Sequence, residues 1–292
     1  MKGIRVILSG RSGNNLFQYA AGRAIATRLD VPLILDSSLI DGETWKVSAH
    51  LLRLPLKAIH RRDPTPVSRW FHRSTGRLVV EIFGGKVVRE PIADLSFRPE
   101  ILEMQAGTTL HGFFQSPLYF ASIDVELHAE LAPSRWSMSE DIAREGERIA
   151  APGGVAVHCR RGDYVNNPNA DLLGPGYFRQ AMDEMRRRIS GCRFHVFSDD
   201  VNWCREQFTE IDVEIENHTG AKSNPLIDWF LMSRANHHIL SNSSYAWWAA
   251  WFGRKPGQTV LVPPVWFEGI IAPVREKCLP HWELFQPKGG VR

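Results

Sequence analysis

The first 35 residues commit the chain to a parallel sheet. Ile4–Leu8 is a short apolar run of strand type, and Gly10 to Gly13 is a tight turn. From Asn15 to about Leu29, the residues Leu16, Phe17, Ala20, Ala21, Ala24 and Ile25 recur at the spacing of one helix face. Val31–Leu35 then reads as a second strand. Strand, helix and strand in succession form a βαβ unit, in which the helix carries the chain back so that both strands run in one direction.

The same alternation returns in the second half. Val155–Val157, Phe194–Phe197, Val213–Ile215, His238–Leu240 and Val260–Val262 read as strands. Helical patterns cover Tyr177–Ile189, Val201–Phe208, Pro225 to about Asn236, and Tyr245–Phe252. A further helical stretch, Ser139–Ile149, leads into Ala151-Pro-Gly-Gly154, where we place a domain boundary. The expectation is an α/β chain of two domains, residues 1–150 and 151–292, long enough for two cores. Residues 41–110 mix Pro, Arg and short apolar runs and give no clear pattern. Within them Arg61, Arg62, Arg69, Arg73 and Arg77 surround Trp70 and Phe71. Peripheral contact with an anionic membrane or a glycan, and a plain solvated basic face, both fit that stretch.

Composition excludes several classes. Thirty-five basic against 32 acidic residues leave a net charge of +3, too small for a nucleic-acid binder but compatible with an anionic small ligand held by a few arginines. The four cysteines, 159, 192, 204 and 278, contain no C-x-x-C pair, which argues against a zinc site or a disulfide framework. Free thiols, no signal-peptide pattern and no apolar run of membrane-spanning length lead to an expected cytoplasmic location. Nothing in the composition calls for an obligate protein partner.

In open parallel sheets, ligands bind beyond the carboxyl ends of the strands. His158-Cys-Arg-Arg-Gly-Asp-Tyr164 lies at one such end. Arg160 and Arg161 offer permanently charged donor forks suited to a diphosphate, and an arginine there would stabilise the charge that builds on a departing nucleoside diphosphate. The alternative is a structural ion pair with Asp163. A phosphatase loop is excluded, because the position six residues after Cys159 is Val165. Ser241-Asn-Ser-Ser244 lies between a strand and a helix, where helix capping and anion binding by free N–H groups are compatible readings. Ser198-Asp-Asp200 supplies carboxylates for a ribose, a base edge or a helix cap. Gly10 to Asn15 has neither the dinucleotide nor the Walker glycine spacing, and Asn14, Asn15 and Gln18 could hydrogen-bond a sugar. No Asp-x-Asp triplet occurs, so no metal is expected to hold the diphosphate. Trp247, Trp248 and Trp251, among alanines on one helix, read as core.

Five segments together resemble glycosyltransferase family eleven, the α-1,2-fucosyltransferases: Gly13–Ala20, His111–Ser116, Val157–Tyr164, Phe194–Asp200, and Asp228–Ser233 running on to Ser241–Trp248. The Arg-Arg element is also similar to that of α-1,6-fucosyltransferases. The resemblance implies a GT-B fold, two Rossmann-like domains facing across a cleft. The first would bind acceptor and the second the GDP-sugar. It implies GDP-β-L-fucose as donor, inversion to an α-1,2 linkage on a galactose-containing glycan, no metal or other cofactor, and a role in bacterial surface-glycan synthesis. Carried over by position, Arg160 contacts the β-phosphate, with Arg161 assisting and Asp163 as candidate base. His158, Asp199, Asp200, Ser243, Ser244, Gly13 and Asn14 face the donor. Asn15, Gln18 and His111 face the acceptor. Asn15 departs from the family's usual Gln. The rival readings are another linkage and a non-catalytic glycan- or nucleotide-binding protein of the same fold.

Overall fold

The structure, a computed structural model, describes residues 2–40, 42–62, 79–82, 85–218 and 224–291. Apart from Arg61 and Arg62, the basic stretch expected to meet a membrane or glycan lies outside these residues. The chain forms two compact units, Met1–Leu131 with Ile270–Ala272, and Ala132–Gly269 with Pro273–Arg292.

The first unit carries β1 (Ile4–Ile7), α1 (Ser12–Leu29), β2 (Leu33–Asp36), α2 (Gly42–Ser48), β3 (Ile59–Arg61), β4 (Val79–Ile82), β5 (Gly85–Arg89), β6 (Thr109–His111) and α3 (Asp124–Glu130). Its sheet has the order β3-β2-β1-β6-β5-β4, and all neighbours are parallel except β4 with β5. The expected βαβ unit is there. Helix α1 lies close against it because residue 22 is glycine: a Cβ there would sit 2.4 Å from Val6 Cγ2. The unreadable stretch supplies β5 and β6, strands of only five and three residues that periodicity cannot resolve.

The second unit carries α4 (Glu140–Ile149), β7 (Gly154–Cys159), α5 (Pro175–Arg188), β8 (Arg193–Ser198), α6 (Val201–Gln207), β9 (Val213–Ile215), α7 (Pro225–Arg234), β10 (His237–Ile239), α8 (Ser244–Phe252), β11 (Val260–Val262) and β12 (Glu283–Leu284). Its sheet, in the order β12-β11-β10-β7-β8-β9, is parallel throughout. Every residue of β7 is buried, as a central parallel strand covered on both faces must be. On α8 Ala246 to Phe252 are all buried, so the three tryptophans are core.

The division falls at Leu131/Ala132, not at Ala151-Pro-Gly-Gly154. Helix α4 belongs to the second unit because it packs there. A Cβ on Gly146 would meet Phe230 of α7 at 2.9 Å. Arg148 binds both carboxylate oxygens of Glu216, at 2.8 and 3.0 Å. Asn236 Nδ2 donates to the carbonyl of Ala151 at 2.7 Å, so the glycine-rich break is a turn inside a unit.

Candidate active site

Strands β10, β7 and β8 are neighbours with a common direction. Their carboxyl ends therefore bring Ser241–Ser244, His158–Tyr164 and Ser198–Asp200 side by side. Ser198 Oγ donates to the carbonyl of Cys159 at 2.8 Å, stitching two of these ends together. His158 and Cys159 are themselves the last residues of β7, so the loop proper starts at Arg160.

Arg160 is largely buried and lies between two carboxylates. Its Nη1 is 2.5 Å from Asp199 Oδ2, and Nη2 donates to Asp163. The guanidinium also lies 5.4 Å from the ring centre of Tyr164, whose hydroxyl donates to the carbonyl of Asn242 at 3.2 Å. Arg161 takes a different seat. Its backbone N–H donates to Asp199 Oδ1 at 2.8 Å, and its guanidinium stacks on Trp203 at 4.1 Å. Two arginines thus present charged forks at the end of β7, each oriented by an aromatic ring. Each guanidinium carries five N–H donors, so carboxylate pairing does not exhaust its capacity for phosphate oxygens.

The two aspartates of Ser198-Asp-Asp200 divide the expected roles. Asp199 bridges Arg160 and the Arg161 amide. Asp200 caps α6, accepting from Trp203 N at 3.2 Å, with Arg161 Nε 3.8 Å from its other oxygen. Asp163, about half exposed, is engaged with Arg160, which is the position of a buttress. Gly162 leaves room for this arrangement: a Cβ would lie 2.3 Å from Asp199 Oδ2 and displace that carboxylate.

His158 is buried and shares a 2.9 Å hydrogen bond between Nδ1 and Ser241 Oγ. Burial is the largest influence on its titration and brings it down to about 4, with Asp199 opposing and Arg160 reinforcing. The ring is neutral at pH 7 and adds no charge to the site. Ser243 caps α8 through Tyr245 N at 3.3 Å, and Ser244 opens that helix. The positive end of the α8 dipole thus adjoins the arginines, which favours an anion.

Asn242, which has no role assigned from the sequence, braces this site. Asn242 is buried and donates to the carbonyls of Ala170 and Trp266, at 2.9 and 3.0 Å, tying the serine loop to two others. Its sequence signal was present, an amide amid serines, but capping explained the serines without it. Asp228 on α7 has its carboxyl lifted to about 6 by burial, with His218 lowering and Glu216 raising it. A carboxyl perturbed in this way marks a candidate functional group.

In the first unit, the first turns of α1 meet the loop after β6. Gln18 is fully buried, and its amide is used entirely within the protein. It accepts from Ser9 N at 3.1 Å and Asn15 Nδ2 at 3.2 Å, and donates to Ser9 Oγ at 3.0 Å and to the carbonyl of Gly112 at 2.7 Å. Asn15, also buried, donates to the carbonyl of Ser9 at 2.9 Å. Both were expected to face an acceptor; both are buried and brace the Ser9 turn from the start of α1. Asn14 Oδ1 accepts from Gln115 Nε2 at 2.7 Å, and His111 closes β6. Gly13, on the first turn of α1, is buried.

Among the described residues, one group brings metal-ligand atoms together: His195, Glu214 and Glu216 lie with one ligand atom each within 4.8 Å. The guanidinium of Arg148 already occupies it, bonded to Glu214 and Glu216 and 3.3 Å from His195 Nδ1. A metal ion there would have to displace a cation. Also among the described residues, no helix is long and apolar enough to cross a membrane.

Residues 96–282 match the family model described as Glycosyl transferase family 11. An alpha-1,2-colitosyltransferase of Escherichia coli is 28% identical over 293 residues, covering 94% of this chain and 96% of the relative. A galactoside 2-alpha-L-fucosyltransferase, SEC1 of Bos taurus, is 29% identical over 166 residues, covering 53% of this chain and 44% of the relative. Among solved structures, the ADP-heptose heptosyltransferase II of E. coli superposes with a TM-score of 0.50 at 11% identity, over 99% of this chain and 91% of its own. The expected α/β architecture of GT-B type, with two Rossmann-like units, is borne out.

Proposed function

The chain belongs to glycosyltransferase family 11, and from that premise we propose that it transfers L-fucose from GDP-β-L-fucose to the 2-hydroxyl of a galactoside. The observation that carries this reading is the paired seat of Arg160 and Arg161 at the end of β7, beside the start of α8. In this reading the acceptor hydroxyl attacks the anomeric carbon from the face opposite the diphosphate. The bond to the β-phosphate oxygen breaks, GDP leaves with the bonding electrons, the hydroxyl proton passes to water, and the configuration inverts. Arg160 meets the charge that develops on the β-phosphate. Arg161 and the α8 helix start hold the rest of the diphosphate.

Charge neutralisation by arginines and a helix dipole needs no divalent ion, in keeping with the absence of an Asp-x-Asp triplet from the sequence. Asp163 then acts as the buttress of Arg160, since an acceptor proton would have to compete with that guanidinium for it. Synthesis of a bacterial surface glycan, at or near the inner face of the membrane, is the setting we assign to this activity.

One observation favours a second donor: a bacterial relative matched over 96% of its length is named for colitose. The test is a galactoside acceptor screen with GDP-fucose and a colitosyl donor, each with and without EDTA, with NMR assignment of the product linkage. An α-1,2-fucoside formed at an EDTA-independent rate is the expected result. Transfer of colitose alone would replace the donor, a 1,6 linkage would replace the acceptor position, and no turnover with either donor would refute the reading.

A further inference from the structure

The loop after β6, His111-Gly-Phe-Phe-Gln-Ser116, is built around a carboxylate to which the sequence assigns no role. Glu90 follows β5 and continues its ladder, with its N–H bonded to the carbonyl of His111 at 2.9 Å. Its side chain is buried, and Oε2 accepts from two successive backbone amides, Phe113 N at 2.6 Å and Phe114 N at 3.0 Å. The loop fits tightly over it, since a Cβ on Gly112 would lie 2.4 Å from Glu90 Cβ.

The conformation held this way is a costly one. Phe114 has φ of +51°, the left-handed region that a bulky side chain rarely adopts. Two amides aimed at one anion recover that cost, and a charged acceptor binds them about twice as strongly as a neutral one. The buried Phe114 ring then packs edge-on against Tyr119, at 5.6 Å between centroids. From the opposite side, Gln18 takes the Gly112 carbonyl and Asn14 takes the Gln115 amide. The loop is therefore clamped between Glu90 and the first turns of α1.

We propose that Glu90 is a positioning residue for the sugar-acceptor side of the enzyme. Its carboxylate fixes the strained Gly112–Phe114 turn so that His111 and Gln115 are presented in one arrangement. This rests on the reading given above, in which the first unit receives the acceptor.

The test compares Glu90→Gln, which is isosteric and keeps an acceptor oxygen but loses the charge, with Glu90→Ala. Steady-state kinetics would separate acceptor KM from donor KM. Hydrogen exchange of the 111–116 peptide would follow the loop without any substrate. Glu90→Gln should raise acceptor KM about fivefold, the factor for roughly 1 kcal/mol of lost charge assistance. It should also speed exchange of the Phe113 and Phe114 amides by a similar factor, with GDP affinity and donor KM within twofold of wild type. Glu90→Ala should exceed both effects. Unchanged exchange, or acceptor and donor KM moving together, overturns the proposal, and the Gln variant decides it if the Ala variant does not fold. If the wild-type enzyme uses a different acceptor, the exchange result still stands and only the functional reading falls.

Discussion

Replacing Arg160 with alanine removes the cation that the site is built around. The side chain is 15% exposed and spans two carboxylates, Asp163 and Asp199. Loss of one donor aimed at developing charge costs about 3–4 kcal/mol of transition-state stabilisation, so kcat should fall roughly 10²- to 10³-fold. The fold should survive. Asp163 is half exposed and returns to water, while Asp199 keeps its bond from Arg161 N. The stability cost is therefore that of a mostly buried cation whose two carboxylate partners keep access to water or another donor, about 1–3 kcal/mol. Arg160→Lys separates charge from shape. An ammonium preserves the charge but cannot span both carboxylates as a guanidinium does, so kcat should lie between those of wild type and the alanine variant. The assay is fucosyl transfer at saturating GDP-fucose, paired with thermal melting and GDP titration. A kcat for Arg160→Ala within threefold of wild type, in a protein that melts normally, would refute the electrostatic role.

Four further outcomes follow from the same geometry. Gly162→Ala should weaken GDP binding several-fold, measured by calorimetry, because a methyl group 2.3 Å from Asp199 Oδ2 would push that carboxylate off Arg160 and the Arg161 amide. Asp200→Ala should cost about 1 kcal/mol of stability in urea unfolding, the usual worth of a helix cap, and leave GDP affinity nearly intact; equal losses in both would contradict the division between the two aspartates. Gln18→Ala should destabilise the fold by about 1–2 kcal/mol in the same unfolding assay, since its loss leaves half-buried groups of Ser9 and Gly112 without their partner.

The fourth concerns pH. His158 titrates lower folded than unfolded, at about 4 against 6.5, so its contribution to stability is complete above pH 6.5 and is lost as pH falls through 4. Integrated over that window the loss is on the order of 3 kcal/mol. Burial depresses His238 in the same sense, and hydrogen bonds from His195, His218 and Arg148 do so for Glu216, whereas His218 is raised by Glu216 and opposes them. Unfolding free energies at pH 7.5, 5.5 and 4.5 should fall less steeply for His158→Gln than for wild type; parallel curves would refute the assignment to His158.

The sequence by itself determined the class of fold and the location of the chemistry. Strand-helix alternation dictates a parallel sheet, and parallel strands place their loops at one edge. His158–Tyr164, Ser198–Asp200 and Ser241–Ser244 were therefore legible as one site, although they lie tens of residues apart. The burial of the α8 tryptophans was legible too, because a helix apolar all round has nowhere to go but the core.

Tertiary structure decided what each polar side chain does there. Asp199 and Asp200 are adjacent and chemically identical, yet one bridges two arginines and the other caps a helix. Gln18 and Asn15 look like sugar ligands in the sequence, and burial turns them into parts of the turn. Helix α4 changes units because of Phe230 and Glu216, residues far along the chain. The role of Glu90 depends on two amides more than twenty residues away. Local pattern dictates backbone geometry, whereas the partner of a hydrogen-bonding group is set by what the finished fold brings within 3 Å of it.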